Sequence, residues 1–306
     1  MIALSAGAWG CGSAPDPSTD AEVDAYLQHL TDARQERIDR LEKRIKRERQ
    51  EPEAVAATTS TGSSRGQGEN LDALGDRLGA EVGATVGPPG SQPLVAGSLQ
   101  SGSAWSTIKV PIAMAVAAQN GGFSSADRSL VSRAITLSDN EAAAELFGEL
   151  GPLGAASDKV TAVLRAAGDR QTVVSTEGRG NFSTYGQTDW SLEAQHQFMS
   201  SLLLGCFGDP GPRDYVLDRM RNVTSDTWGF GSAGVPALWK GGWGPGVDGR
   251  YLLRQMGAIE VDGRQYVATL AVIPDNGDFA TGQQIASEVA GWIVAEAPGT
   301  SGGGRC

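Results

Sequence analysis

The sequence predicts an α+β domain whose strands fall in two groups, one near residues 81–99 and one near 235–273, with helices between and after them. Three features carry this. Short runs rich in Val, Ile, Leu and Tyr bounded by Gly, Pro or Asp read as strands, and longer stretches with apolar residues three and four apart read as helices. Asp262-Gly263, between two such strand-like runs, is a hairpin turn signal. In chain order, Asn70 to Leu78 reads as a helix, and Glu81 to Val86 with Pro93 to Leu99 as a hairpin. A helix follows from Trp105 to Val116. Leu130 to Leu137 and Ala142 to Phe147 are two further helical stretches with a turn between them, and Trp190 to Leu203 is another. Val235 to Lys240, Tyr251 to Val261 and Gln265 to Ile273 are strands. Phe279 to Glu296 closes the pattern as a helix with Ile285, Val289, Trp292 and Ile293 on one face.

The chain has 306 residues and a formal net charge of -11, which argues against a nucleic-acid partner. It divides by composition into residues 1–19, a charged segment 20–50, an Ala, Thr, Ser and Gly-rich linker 51–69, a folded domain 70–297 and a Gly-rich tail 298–306. No apolar run approaches the roughly 18 residues that span a membrane. Met1 to Gly10 is small and apolar and ends at Cys11, after which the chain turns polar. That resembles the end of a bacterial lipoprotein signal, in which Cys11 would carry lipid. Ala8 and Trp9 are poor residues for such a site and no basic segment precedes them; a start assigned too late accounts for both. The resemblance implies a protein secreted or anchored on the outer face of the cell membrane. Residues 20–50 place Val23, Leu27, Leu30, Ile38, Leu41 and Ile45 at helical spacing. A helix there would reach roughly 45 Å at 1.5 Å per residue, and it reads equally as a frayed exposed segment or as a stalk. Cys206 and Cys306 are the remaining cysteines, and the sequence leaves open whether they pair or stay free.

The chemistry concentrates in three short motifs. Ser106 and Lys109 stand one helical turn apart, so the lysine amine can reach the serine hydroxyl, a poor nucleophile without an adjacent base. Partial burial and the positive end of the helix favour the neutral amine, which accepts a proton. Beyond residue 70 the lysines are Lys109, Lys159 and Lys240 alone, in a chain that otherwise uses Arg. Such a chain keeps Lys where an amine able to lose its proton is needed. The histidines are His29, in the charged segment, and His196, inside a helical pattern, so a Ser-His-Asp arrangement is not expected. Ser138, Asp139 and Asn140 occupy the turn between two helices. Lys240 ends a strand, and Gly241, Gly242 and Trp243 come directly after it.

Ser-x-x-Lys, then Ser-Asp-Asn, then Lys-x-Gly on a strand resembles the class A β-lactamase and penicillin-binding protein superfamily over roughly residues 70–297. The stretches from Thr184 to Ser191 and from Trp228 to Gly231 resemble secreted β-lactamase-like serine hydrolases and lipoproteins of actinobacteria. The resemblance implies a β-lactamase-like fold, a five-stranded antiparallel sheet packed with helices, and a helical lobe reduced by the short span from Lys109 to Ser138. It implies Ser106 as the acylated nucleophile and Lys109 as its base. Ser138 would bridge Lys109 and Lys240 and pass a proton to the leaving amine, and Asn140 would hold substrate or Lys109. Lys240 would supply charge for a substrate carboxylate, and Gly241 and Gly242 would let substrate approach the backbone. The N–H groups of Ser106 and Trp243 would form the oxyanion hole.

Two departures stand out. Gly241 removes the hydroxyl usual at that position, and no Glu-x-x-Leu-Asn loop is recognisable. Glu177 lies in about the right region with the wrong surroundings and reads as a solvated loop carboxylate. The expectation is therefore a monomeric serine hydrolase or acyltransferase, without metal or cofactor, acting on β-lactams or peptidoglycan peptides with slow deacylation. The alternative is a non-catalytic cell-envelope lipoprotein that keeps the fold for binding.

Overall fold

The computed structural model describes residues 70–306; the expectations for the segments before Asn70, Cys11 included, lie outside the described residues. Helix α1 spans Leu71–Leu78, strands β1 and β2 span Ala80–Gly87 and Leu94–Gly97, and a 3-10 turn at Trp105–Ile108 runs into α2, Lys109–Asn120. Then come α3 (Ser125–Thr136), α4 (Asn140–Glu149), α5 (Leu153–Ala166), α6 (Leu192–Leu204) and α7 (Pro210–Arg221). Strands β3 (Ala237–Pro245), β4 (Tyr251–Val261) and β5 (Arg264–Pro274) precede α8, Phe279–Glu296.

The five strands form one antiparallel sheet in the order β2-β1-β5-β4-β3. Helices α1 and α8 and, separately, α6 pack on the sheet, while α2, α3, α4, α5 and α7 pack on one another as a helical lobe. The face of α8 read from the sequence is the one buried: Ile285, Val289 and Ile293 are enclosed and Trp292 is half-buried. Each fully buried aliphatic side chain of this kind contributes about 1.5–3 kcal/mol. His196 is an interior residue of α6. Its Nδ1 lies 3.1 Å from Thr85 Oγ1 of β1, and burial pushes its pKa down to about 4.

Several boundaries differ from the sequence reading by a few residues, and two of the differences bear on the site. The turn carrying Ser106 is 3-10 rather than α-helical, because Trp105 sits at φ 49, a left-handed backbone that an α-helix cannot include. Strand β3 does not stop at Lys240 but continues through Gly241, Gly242 and Trp243. Opposite the glycine pair lie Gln255 and Arg254 of β4, both buried, so long side chains from the neighbouring strand offset the missing ones. Cys206 and Cys306 are joined in a disulfide, which settles the choice left open by the sequence. It ties the Gly-rich tail to the end of α6, and Gly304 N–H donates to Pro89 O beside the β1–β2 hairpin.

Candidate active site

The segment leading into Ser106 is held by groups from three elements. Ala104 N–H donates to Thr188 O at 2.7 Å. The buried Arg254 guanidinium of β4 donates from Nη1 to Gly102 O (2.6 Å) and Ser103 O (3.1 Å), and from Nη2 to Trp190 O (2.7 Å) and Gln195 Oε1 (2.8 Å). Thr107 Oγ1 donates to Ala104 O and accepts from Gln195 Nε2 at 2.9 Å. The left-handed Trp105 therefore rests in a frame that fixes both sides of it, as a costly backbone conformation requires. Strand β3 backs directly onto this turn. A Cβ on Gly242 would stand 2.8 Å from Ser106 N and 2.9 Å from Ala104 O, so only glycine fits between strand and turn.

Lys109 opens α2 and is 2 % exposed. Its Nζ donates to Ser138 O (2.5 Å), Asn140 Oδ1 (2.8 Å), Asp139 O (3.3 Å) and, at the long distance of 3.5 Å, Ser138 Oγ. None of its hydrogen bonds goes to Ser106, the contact expected from the one-turn spacing. The reason is local: Ser138 has φ 57, and this turn aims its carbonyl at the amine. Asp139 caps α4 by accepting from Glu141 N and Ala142 N and accepts from Arg133 Nε at 2.8 Å, which locks the turn. The Ala142 cap bond, with the Arg133 guanidinium and the Glu141 cap bond, holds the Asp139 carboxyl below its usual range against the opposing effect of burial.

Burial, then the nearby charge of Lys240, push the Lys109 pKa down to about 7, opposed by Asp226 and Asp139. Lys240 is fully buried in β3. Burial pushes its pKa down to about 8, and Asp226 opposes that shift. Lys240 Nζ donates to Ser138 Oγ at 2.9 Å and to Gly241 O at 2.8 Å, and lies 3.7 Å from Asp226 Oδ2. Ser138 thus stands between the two lysines, as the resemblance implies.

These groups line or back a cavity of about 620 Å³ whose walls include Ser106, Lys109, Ser138, Asn140, Asp226 and Trp243. A second cavity of about 710 Å³, walled by Met114, Val163 and Phe207, contains none of the motif residues. Lys240, Gly241 and Gly242 lie behind the first cavity's wall rather than on it. Gly241 corrects the sequence reading. A Cβ there would stand 2.6 Å from Asp226 Cβ, so this glycine makes room for a side chain of the protein itself rather than for substrate.

Trp243 is partly exposed. Its Nε1 donates to Asp226 Oδ1 at 3.0 Å, and its ring packs against Tyr251 and Phe279. Trp228 and Trp239 are buried core residues instead. Glu177 is exposed and is not part of the cavity wall. Its loop is fixed by Arg179, which donates to Gly246 O and Gln187 Oε1, each at 3.1 Å, and to Pro245 O. The Arg179 guanidinium also stacks over Trp105 and Phe182. Sequence reasoning missed Trp105, Arg179 and Asp226. Asp226 is the most consequential, and its only signal was the unexplained Gly241.

No family profile matches the chain, and no curated protein sequence matches it. The fold, however, is shared with solved structures. A mutant of the last common ancestor of Gram-negative bacteria class A β-lactamase superposes with a TM-score of 0.60 at 22% identity, covering 75% of this chain and 97% of that one. A β-lactamase from Sphaerobacter thermophilus gives 0.59 at 19% identity, over 74% and 95%. A mutant of PBP-A, solved as an acyl-enzyme complex with penicillin G, gives 0.57 at 19% identity, over 74% and 96%. The described domain has the β-lactamase-like α+β fold. Its structural relatives are class A β-lactamases and a penicillin-binding protein.

Proposed function

We propose that the domain is a serine hydrolase or acyltransferase that works through an acyl-Ser106 intermediate on β-lactams or peptidoglycan peptides. The observation that carries this is Lys109: a buried amine with a pKa near 7, at the wall of the cavity that Ser106 opens onto, is a proton acceptor at neutral pH. Rotation of its terminal bonds brings the amine from Ser138 O to Ser106 Oγ. Neutral Lys109 takes the hydroxyl proton as Oγ attacks the substrate carbonyl, and the Ser106 and Trp243 N–H groups receive the oxyanion. The Lys109 proton then passes through Ser138 Oγ to the leaving nitrogen as the C–N bond breaks, with Lys240 holding Ser138 in place.

Deacylation is slow in this reading. Among the described residues the only carboxylate on the cavity wall is Asp226, which is engaged with Trp243 and Lys240, and Glu177 is exposed. The absence of a general base for water costs about 10²- to 10⁴-fold. One observation favours the non-catalytic alternative, namely that the Lys109 amine is bonded away from Ser106. Intact-mass measurement decides between them. Incubation with a penicillin and with its methyl ester is expected to leave a persistent adduct with at least one of them, absent from Ser106→Ala. No adduct with either, or one retained by Ser106→Ala, removes Ser106 from the chemistry. Rapid multiple turnover lost in Glu177→Gln would overturn slow deacylation alone.

A further inference from the structure

We propose that Asp226 is a built-in counter-anion that sets the substrate class: the cleft takes acyl donors whose leaving-group side is neutral or cationic and discriminates against those bearing a carboxylate there. This rests on the reading of Ser106 as the acylated residue and narrows it to β-lactams and peptides whose leaving-group carboxylate is masked as an amide or ester.

An ammonium offers three donors. Lys240 spends two of them on Ser138 Oγ and Gly241 O, and its charge is paired at 3.7 Å with Asp226 Oδ2, so the charge is already matched before a substrate anion arrives. The Asp226 side chain is 7% exposed, its Oδ2 has no hydrogen-bond partner, and its charge stands against that of Lys240. Among the described residues, Lys109 and Asp226 are the only charged ones on the cavity wall. Lys109 is about half neutral at pH 7, and its amine is bonded to Ser138 O and Asn140 Oδ1, so the wall presents a carboxylate and no uncommitted cation. Arg179 is nearby, but its guanidinium is bonded to Pro245 O, Gly246 O and Gln187.

Asp226 is also placed deliberately. Its φ of 49 is a conformation that Asp and Asn tolerate better than other residues with a side chain. Its carbonyl accepts from Trp239 Nε1 (3.1 Å) and Gln255 Nε2 (2.9 Å), and Gln255 in turn bonds Trp228 O and Phe230 N. Gly241 leaves the space its side chain fills. A substrate carboxylate arriving here meets a like charge in a poorly solvated cleft, whereas an amide N–H or an ammonium meets an acceptor.

The test compares benzylpenicillin with its primary amide, following Ser106 acylation by intact mass. Wild type is expected to react at least tenfold faster with the amide, and Asp226→Asn, which keeps the shape and the backbone conformation, to shift the ratio at least tenfold toward the free acid. Faster reaction of wild type with the acid, or a ratio unmoved by Asp226→Asn, overturns the proposal. A second measurement is independent of acylation: calorimetric binding of phenylacetylglycine and its primary amide to Ser106→Ala. Tighter binding of the amide, reversed in Ser106→Ala with Asp226→Asn, supports the counter-anion. Equal or tighter binding of the acid, or binding of neither, overturns it. If no adduct forms on Ser106 but the amide binds more tightly, the acyl-enzyme reading fails and the role of Asp226 stands.

Discussion

Lys109 carries two pH dependences of different kinds. With its pKa at about 7, the neutral base is lost as pH falls, so the acylation rate constant is expected to drop about tenfold per unit below pH 7. Above pH 8, loss of the Lys240 charge loosens Ser138, so the rate declines again. Lys109→Arg, which keeps charge but cannot give up its proton, is expected to abolish acylation at every pH. For stability the sign follows from the depressed folded pKa. Between about pH 7 and 10.5 the unfolded chain holds the extra proton, so this residue's contribution rises with pH across that window. Gly241 gives a separate prediction. Gly241→Ala forces a Cβ against Asp226 and is expected to cost about 1–3 kcal/mol in denaturant unfolding. In the Asp226→Gly background, where φ 49 is unstrained, the same change is expected to be nearly neutral; an undiminished cost would mean that the clash is not with Asp226.

Elements were legible in the sequence wherever periodicity decides them. β4 and α8 were read with the bounds observed, because each is a long apolar pattern closed by a turn or cap signal. β3 was cut short because glycines normally punctuate a strand, and only the pairing with Gln255 and Arg254 shows why they continue this one. Ser106, Lys109, Ser138, Asn140 and Lys240 could be found because each lies in a short motif, Ser-x-x-Lys, Ser-Asp-Asn or Lys-x-Gly, and the three follow the order of the family resembled. Asp226 could not, since it reaches Lys240 through a loop whose course depends on Gln255 and Trp239, far away in sequence. The pairing of Cys206 with Cys306 was likewise undecidable, because sequence carries no distance. That bond closes a separation of 100 residues. Cys206→Ser with Cys306→Ser is expected to cost about 2–4 kcal/mol. The matching drop in melting temperature is roughly 5–15 °C for a domain of this size. An unchanged melting temperature would show that the tail adds nothing to the fold.

At the scale of the whole molecule, a disulfide of this kind suits an oxidising compartment, in keeping with the expectation of a secreted or lipid-anchored protein, which we propose. If Cys11 is the anchor, the protein partitions into detergent from a native host and Cys11→Ala releases it; a wild-type protein already soluble and unprocessed excludes the anchor. The strand order has a consequence for how such a chain matures. β1 and β2 are made early, but the partner that covers the inner edge of β1 is β5, up to 194 residues later, as in the pairing of Ala80 with Pro274. The lobe bearing Ser106 and Lys109 can condense from local helix contacts, while the strand that brings Lys240 has no sheet to join until β5 bridges β1 and β4. Long-range pairing of this sort is slow and leaves an open strand edge meanwhile. A nascent chain is therefore without its reactive cleft until almost all of the domain has been synthesised.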